Sequence, residues 1–261
     1  LADLYTRAEL PKFRSYIMTA VRHVIFWSLP VIALIIVLRA QMVRVILGSG
    51  AFDWADTKLV AAVLAMLAIS LCAQALNLLS VRAFYAAGDT RTPLIASLGT
   101  AFVTVLGTYS AYLWTRTNPD WLTWFADAIR LEAVAGVEVV VLGVGYTAGM
   151  VLQAITLLYL AGQKFQLPLV VLWRNLFVAS VSAVAAGVTA YVTINFIVYG
   201  VNTETFIGIF IQGLAGAMMG IIGAIIAYYL LRSPELHEVS MALRAKLRRR
   251  TEVIASQDDV L

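Results

Sequence analysis

The apolar residues of this chain gather into six long runs, and short polar segments separate the runs. Each run has about 20 residues or more, which is the length that a helix needs to cross a hydrocarbon core of roughly 30 Å. Antiparallel helices with short connections form a helical bundle. The pattern therefore predicts an all-α, polytopic transmembrane bundle, with spans at Val24–Leu47, Leu59–Val81, Leu94–Trp114, Val137–Ala161, Asn175–Tyr199 and Thr205–Leu231.

The most specific local pattern is the segment VRAFYAAGDTRTP, which joins the second run to the third. Gly88 and Asp89 supply a turn, because glycine adopts positive φ without steric cost and Asp or Thr can cap a helix amino end. Thr92 and Pro93 begin the next helix, since proline is tolerated in a first turn. The segment predicts a tight hairpin between two membrane-spanning helices.

Three segments outside the runs are amphipathic or interfacial in character. Residues 1–23 are basic, with apolar positions at helical spacing, and they predict a surface helix that leads into the membrane. Residues 115–136 mix aromatic and charged side chains, which is typical of an interfacial helix at headgroup level. Residues 232–261 predict a basic amphipathic tail that binds anionic phospholipids. Between these segments lie four helices over 24–163 and two over 164–231.

The basic residues orient the predicted bundle. Six spans put both ends of the chain on one side, and that side carries all but five of the 19 Lys and Arg residues. The positive-inside rule assigns such a side to the cytoplasm. We therefore expect both ends of the chain and the turn at Gly88 in the cytoplasm. The polar loop at 48–58 is then external, and Asp56 or Thr57 is expected to cap the helix after it.

The composition argues against a soluble domain and against a metal site. Charged residues make up 13% of the 261 residues, against about 25% in soluble domains. The single cysteine, Cys72, lies in an apolar run, and the two histidines are scattered, so no metal-ligand spacing is present. We expect no metal ion, no cofactor and no nucleic-acid partner.

Catalytic patterns are not visible in the sequence. There is no Ser-His-Asp set, no pair of carboxylates on one helix face and no nucleotide-binding loop. The glycine-rich run at 143–149 lies inside an apolar helix without a preceding strand, so a phosphate-binding interpretation fails its structural context. The chain is therefore predicted to be part of a transporter and not an enzyme.

Polar residues near the spans are candidates for a substrate pathway. Arg39 and Arg44 lie in the last third of the first run, where they either snorkel to the headgroups or face a wet cavity. Gln74 and Asn77 share a helix face, which is typical of hydrogen-bonded helix packing and also of a pathway lining. Arg82 lies at the membrane edge. The four candidates are Arg39, Gln74, Asn77 and Arg82.

Three motifs carry a family resemblance: Leu29-Pro30 in the first run, the loop Gly50 to Asp53, and the turn Arg82 to Pro93. Together they resemble the C-terminal half of the MurJ/MviN lipid II flippases. These proteins belong to the multidrug/oligosaccharidyl-lipid/polysaccharide exporter superfamily. The motif position of Arg82 implies a topological or hinge role more than substrate contact.

The resemblance implies a fold of fourteen spans, of which this chain holds the ninth to fourteenth. Residues 24–163 would belong to the C-terminal lobe, and the two helices in 164–231 would shape a groove for a polyprenyl tail. The basic cavity for the pyrophosphate and sugar headgroup would lie largely in the missing N-terminal lobe. The implied function is translocation of lipid II across the cytoplasmic membrane of a bacterium by alternating access.

Two alternatives stay open. The first is an exporter of another polyprenyl-linked glycan or amphiphile, because the headgroup cavity that decides the substrate is largely outside this chain. The second is a non-transporting membrane scaffold, which the segment at 115–136 and the basic tail would suit. The chain opens at Leu1 in the middle of a pattern, so we expect it to be a piece of a longer protein.

Overall fold

The computed structural model describes residues 10–48, 53–129, 131, 136–197 and 205–242, and the elements within these residues are helical. Besides the α-helices there are a 3-10 turn at Leu169–Val171 and a π-helical turn at Thr193–Ile197, and residues 234–242 form a last helical segment. The predicted all-α fold class is confirmed. The α-helices are α1 (Leu10–Leu47), α2 (Trp54–Ala86), α3 (Arg91–Thr117), α4 (Pro119–Ala128), α5 (Glu138–Phe165), α6 (Leu172–Val192) and α7 (Phe206–Leu230).

Some predicted features fall outside the described residues. They are residues 1–9 of the N-terminal segment, residues 49–52 of the external loop, residues 130 and 132–135, the loop at 198–204, and the tail from residue 243, which includes Arg248–Arg250.

Six helices of the described ranges are long and apolar enough to cross a membrane. They are α1, α2, α3, α5, α6 with its flanking turns, and α7, and the mean hydropathy of their apolar windows lies between 1.5 and 2.4. The six predicted spans fall on these six helices. The multi-pass membrane character expected from the sequence is therefore confirmed.

The first helix is longer than the predicted span. It runs from Leu10 to Leu47 over 38 residues and so joins part of the predicted surface segment to the first span. Phe13, Ile17 and Val21 are at most 3% exposed, because they pack in the main hydrophobic cluster with residues of α2 and α5. The apolar stripe seen in the sequence therefore packs against the bundle.

Proline in the middle of α1 creates a special contact with α7. Pro30 has no backbone N–H, so the carbonyl of Phe26, four residues earlier, has no helical donor. The hydroxyl of Tyr228 in α7 donates to this carbonyl oxygen at 2.7 Å. The rings of Phe26 and Tyr228 also pack with their centroids 4.2 Å apart. The hydrogen bond that proline removes is thus supplied by a neighbouring helix.

The helices form two groups that meet at α1. In the first group α2 packs extensively on α5, and α5 in turn packs on α3. In the second group α6 packs on α7. Helix α1 packs on α2 from the first group and on both α6 and α7 from the second. It is therefore the element that joins the predicted lobe helices to the terminal pair.

Small residues permit the close contact of the second group. A Cβ atom at Gly220 of α7 would lie 2.3 Å from a methyl carbon of Leu34 in α1 and 3.0 Å from the carbonyl oxygen of Ala186 in α6. Gly216, which is four residues before Gly220 in a GxxxG pattern, is buried at the same contact. This pattern is typical of tight contact between membrane helices.

The N-terminus of α2 corrects one prediction. Asp53 caps this helix, whereas Asp56 or Thr57 was expected to do so. The Asp53 side chain accepts from the N–H of Asp56 at 2.8 Å, and the Asp56 side chain accepts from the N–H of Asp53 at 3.1 Å. The prediction was wrong because Asp56 is the third helical residue of a capping box, in which both acids bind backbone donors.

The segment after α3 folds back on the bundle. In α4 the ring of Trp121 stacks on Phe125 with centroids 5.2 Å apart, and Trp114 meets Trp121 edge to face at 5.1 Å. Leu131 is 2% exposed and belongs to a small apolar cluster with Val140 of α5 and residues of α2. This segment therefore covers one end of the α2–α5 pair.

Candidate functional site

The predicted pathway residue Arg39 lies in the wall of a cavity of about 450 Å³. The cavity is bounded by α1, by the first half of α2 and by the segment after α4, and most of its wall is apolar. The Nη1 group of Arg39 donates to the carbonyl oxygen of Ile36 at 2.6 Å. The rest of the guanidinium makes no hydrogen bond to the described residues, so it is available to a ligand.

A second cation lines the same cavity. Lys58 of α2 is exposed and has no hydrogen bond or ion pair with any described residue. No acidic side chain belongs to the wall in the described part of the chain. Two positive charges beside an apolar surface can receive the anionic group of an amphiphile, since neither charge has an acidic partner among the described residues.

Arg44, the other arginine of the first run, is placed differently. Its guanidinium lies over the ring of Trp54, with the carbon 5.5 Å from the ring centroid. Arg44 does not line the cavity, although Trp54 does. The two arginines that the sequence treats alike therefore have different surroundings, one beside an open cavity and one on an aromatic face.

The structure places Asn77 against α5 and not in the cavity. Asn77 is 6% exposed, and its Nδ2 donates to the carbonyl oxygen of Met150 at 3.2 Å. Gln74 donates to the hydroxyl of Ser70 at 2.7 Å on its own helix. In the same contact Thr147 of α5 donates to a carbonyl of α2 at 2.7 Å. Asn77 and Thr147 thus hold α2 to α5, as the packing alternative expects, and a pathway role of Gln74 and Asn77 stays a prediction.

Arg82 lies near the other end of α2. Its side chain is exposed and makes no hydrogen bond or ion pair within the described ranges. Arg39, by contrast, borders the first half of α2. The structure therefore does not bring the four predicted pathway residues into one site.

The turn after Arg82 has the geometry predicted for it. Helix α2 ends at Ala86 and α3 begins at Arg91, and Gly88 has a φ of 74°. The Asp89 side chain accepts from the N–H of Thr92 at 3.0 Å and from its hydroxyl at 2.7 Å. Pro93 lies in the first turn of α3 and is buried. The predicted tight turn is present, but α2 and α3 make few contacts beyond it, because α3 packs on α5 instead.

Lys164 ties this turn to α5, a contact that sequence reasoning missed. The Lys164 ammonium donates to the Asp89 carboxylate, and it lies 5.6 Å from the centroid of the Phe84 ring. The hydrogen bond from Lys164, followed by those from Thr92, holds the pKa of Asp89 well below its ordinary value. Below the turn the Phe165 ring packs at 5.4 Å from Phe84. The turn is therefore fixed to the end of α5 by charge and by aromatic packing.

A comparison with known families gives one result. Residues 1–118 match the family model described as lipid II flippase MurJ. The match is to the MurJ family. The matched residues include α1, α2, the Asp89 turn and α3, and they are consistent with a member of that family. No curated protein and no solved structure matches the chain.

The MurJ match confirms the resemblance stated from the sequence. It covers the three motifs that carried the resemblance, at Leu29-Pro30, Gly50 to Asp53 and Arg82 to Pro93. The MurJ family consists of flippases and not of enzymes, so the match supports a function of the lipid II flippase type in general. Together with six apolar helices in the described ranges, it supports a multi-pass membrane protein.

Proposed function

We propose that this chain is the C-terminal part of a bacterial flippase that moves lipid II across the cytoplasmic membrane by alternating access. The MurJ match over residues 1–118 carries the proposal. In alternating access, the lobe that includes this chain and the N-terminal lobe that completes the transporter would rock against each other about the substrate cavity.

The Arg39 cavity is the proposed substrate contact of this chain. The substrate carries a pyrophosphate on a long polyprenyl chain, and the cavity offers two cations, Arg39 and Lys58, that have no acidic partner among the described residues and lie beside an apolar wall. In this account Gln74 and Asn77 hold α2 in place, and Arg82 acts at the membrane edge. The larger part of the headgroup site belongs to the N-terminal lobe that completes the transporter.

The proposed orientation places both ends of this chain in the cytoplasm. It rests on the basic residues, of which all but five are on the side of the two ends. The Arg39 cavity, which borders the external end of α1, is then open to the outer half of the membrane. The basic tail with Arg248–Arg250 binds anionic phospholipids of the cytoplasmic leaflet in this account.

The test of the substrate contact uses a matched pair of arginine variants. In the native protein that contains this chain, Arg39→Gln should lower lipid II translocation by about tenfold or more, the effect of removing one charged contact of about 1.4 kcal/mol or more. Arg44→Gln should change it by less than about threefold, because Arg44 rests on Trp54 outside the cavity.

The outcome of this comparison separates the possibilities. Equal effects of the two substitutions would show that the cavity has no special role. Translocation of other polyprenyl-linked glycans at the same rate as lipid II would favour the alternative of a broader exporter. Wild-type protein that inserts normally and translocates neither substrate would favour the scaffold.

A further inference from the structure

A second cavity, of about 460 Å³, lies at the opposite end of α1. Its polar wall is formed by Arg22 of α1, Arg174 and Asn175 of α6, and Glu235 of the last helical segment. Arg22 and Arg39 are about 25 Å apart along α1 at a rise of 1.5 Å per residue. This cavity is therefore separate from the proposed substrate contact.

The buried acid of the cavity is already neutralised by the protein. Glu235 is 3% exposed, and its Oε1 accepts from the Nε of Arg22 at 2.8 Å and from the side-chain amide of Asn175. Its Oε2 accepts from the hydroxyl of Ser233 at 2.7 Å. Burial raises the pKa of Glu235, but the hydrogen bonds and the charge of Arg22 outweigh burial and leave the pKa below its ordinary value. Glu235 is thus a fixed carboxylate whose charge Arg22 balances.

Hydrogen-bond donors remain in the cavity after this pairing. Arg174 is exposed and has no ion pair or hydrogen bond to any residue that the structure describes. To the described residues Arg22 makes a hydrogen bond through its Nε only; its Nη2 forms an ion pair with Glu238 at 3.8 Å, which is beyond hydrogen-bonding distance. Glu238 itself is also 3.3 Å from His23. Among the described residues the cavity therefore keeps one cation without an acidic partner, Arg174, and terminal N–H groups of Arg22 that make no hydrogen bond.

The rim of the cavity carries exposed apolar side chains. Val170 is 81% exposed, Trp173 72% and Val171 55%. Tryptophan beside arginine at the end of a spanning helix is typical of the membrane interface, where the ring lies among headgroups and the cation meets phosphates. A ligand of this cavity would therefore approach from the lipid phase.

We propose that this cavity binds the phosphate of an anionic phospholipid, with Arg174 and the terminal N–H groups of Arg22 as donors and with acyl chains along Val170, Val171 and Trp173. A phosphate diester has one negative charge and accepts paired hydrogen bonds from guanidinium groups. The lipid would bridge α1 and α6, the helix contact that joins the terminal pair to the rest of the bundle.

Trp173 provides a direct measurement of this site. The native protein is reconstituted in phosphatidylcholine bilayers that contain brominated phosphatidylglycerol, and fluorescence quenching is compared between the wild type and Trp173→Phe. The difference reports the lipid beside Trp173. We expect this lipid to be phosphatidylglycerol about fivefold more often than its bulk fraction, as one basic residue at an anionic surface predicts.

Two arginine variants make the result specific. Arg174→Gln should abolish the preference for phosphatidylglycerol, whereas Arg82→Gln should preserve it, because Arg82 is an equally exposed arginine outside the cavity. Equal quenching by brominated phosphatidylcholine in the wild type would overturn the proposal. Loss of the preference for phosphatidylglycerol in both variants would also overturn it. If inorganic phosphate removes this preference in the wild type, the cavity is a site for free anions and the lipid proposal is wrong. The assay does not depend on flippase activity.

Discussion

At the residue scale, the turn between α2 and α3 is held by two separable constraints. The first is the backbone of Gly88, whose φ of 74° is unfavourable for an L side chain. The second is the side chain of Asp89, which binds Thr92 and Lys164. A Cβ atom at Gly88 would contact nothing within 4 Å, so a substitution there tests backbone conformation alone.

Gly88→Ala is expected to lower the free energy of unfolding by about 1 kcal/mol, the cost of a left-handed conformation for alanine. Gly99→Ala is the control, because Gly99 lies inside α3 and also has open space around it. The control should be neutral or stabilising by up to about 1 kcal/mol, since alanine favours helix. Unfolding of both variants in detergent micelles gives the comparison. Equal changes in the free energy of unfolding at both sites would show that an alanine at position 88 is not strained.

Asp89→Asn removes the charge that Lys164 binds while it retains a good helix cap. The pKa of Asp89 is lowered in the folded protein, so its stabilisation is complete above the unfolded pKa of about 3.9 and is lost as the pH falls through the folded value. The wild type should therefore have the higher melting temperature, by an amount that is constant from about pH 8 to pH 5 and shrinks below about pH 4. A difference in melting temperature that grows as the pH falls would show that the ion pair of Asp89 with Lys164 does not stabilise the protein.

At the scale of elements, α1 organises the bundle, and its proline is part of the reason. The carbonyl that Pro30 leaves without a helical donor accepts from Tyr228, so α7 is attached to α1 at one defined position. Most of the surface of a membrane helix is apolar and gives little positional information, because neighbouring helices and lipid are equally apolar. The hydrogen bond from the hydroxyl of Tyr228 to the buried carbonyl of Phe26 fixes the position of α7 on α1.

Tyr228→Phe should destabilise the protein by about 1–2 kcal/mol, because it leaves the Phe26 carbonyl unpaired in an apolar setting. Tyr229→Phe is the control, since Tyr229 is 75% exposed. Pro30→Ala restores a backbone N–H, so Tyr228→Phe should cost clearly less in that background. Equilibrium unfolding of the single and double variants measures this coupling. If the effects of Tyr228→Phe and Pro30→Ala on the free energy of unfolding are additive, the hydrogen bond from Tyr228 does not replace the one that Pro30 removes.

The sequence predicts those elements that depend on local rules. The spans follow from the length that lipid requires, and the hairpin follows from Gly88, Asp89 and Pro93, whose effects act within a few residues. The pair of Asp89 with Lys164 joins residues 75 positions apart, and no local pattern specifies it. The cap at Asp53 was missed because either acid of a capping box can be taken for the cap.

The candidate site was predictable only in part for the same reason. The sequence marks Arg39 and Asn77 as polar residues in apolar helices, but their roles depend on which neighbour each one faces. In the structure Asn77 donates a hydrogen bond to α5, whereas Arg39 lies beside a cavity that Lys58 also lines. The network around Glu235 joins α1 and α6 to the last helical segment, and it follows from the packing of these elements.

At the scale of the whole molecule, the chain consists of two helix groups joined by α1. The MurJ match ends at residue 118, so it covers α1, α2 and α3, while α5, α6 and α7 lie outside the match and pack on these helices. Helix α3 has the lowest buried share of the six candidate spans, at 6% of its apolar window. This exposure leaves room for lipid or for the lobe that completes the proposed transporter.

The most direct measurement of the central claim is lipid II translocation in bacterial cells that are depleted of their own flippase. The native protein that contains this chain is expressed in these cells, and the lipid II that reaches the outer face of the membrane is labelled and counted. The account predicts that the native protein restores translocation and that residues 1–261 alone do not. Native protein that reaches the membrane at normal levels and leaves lipid II on the inner face would contradict the account.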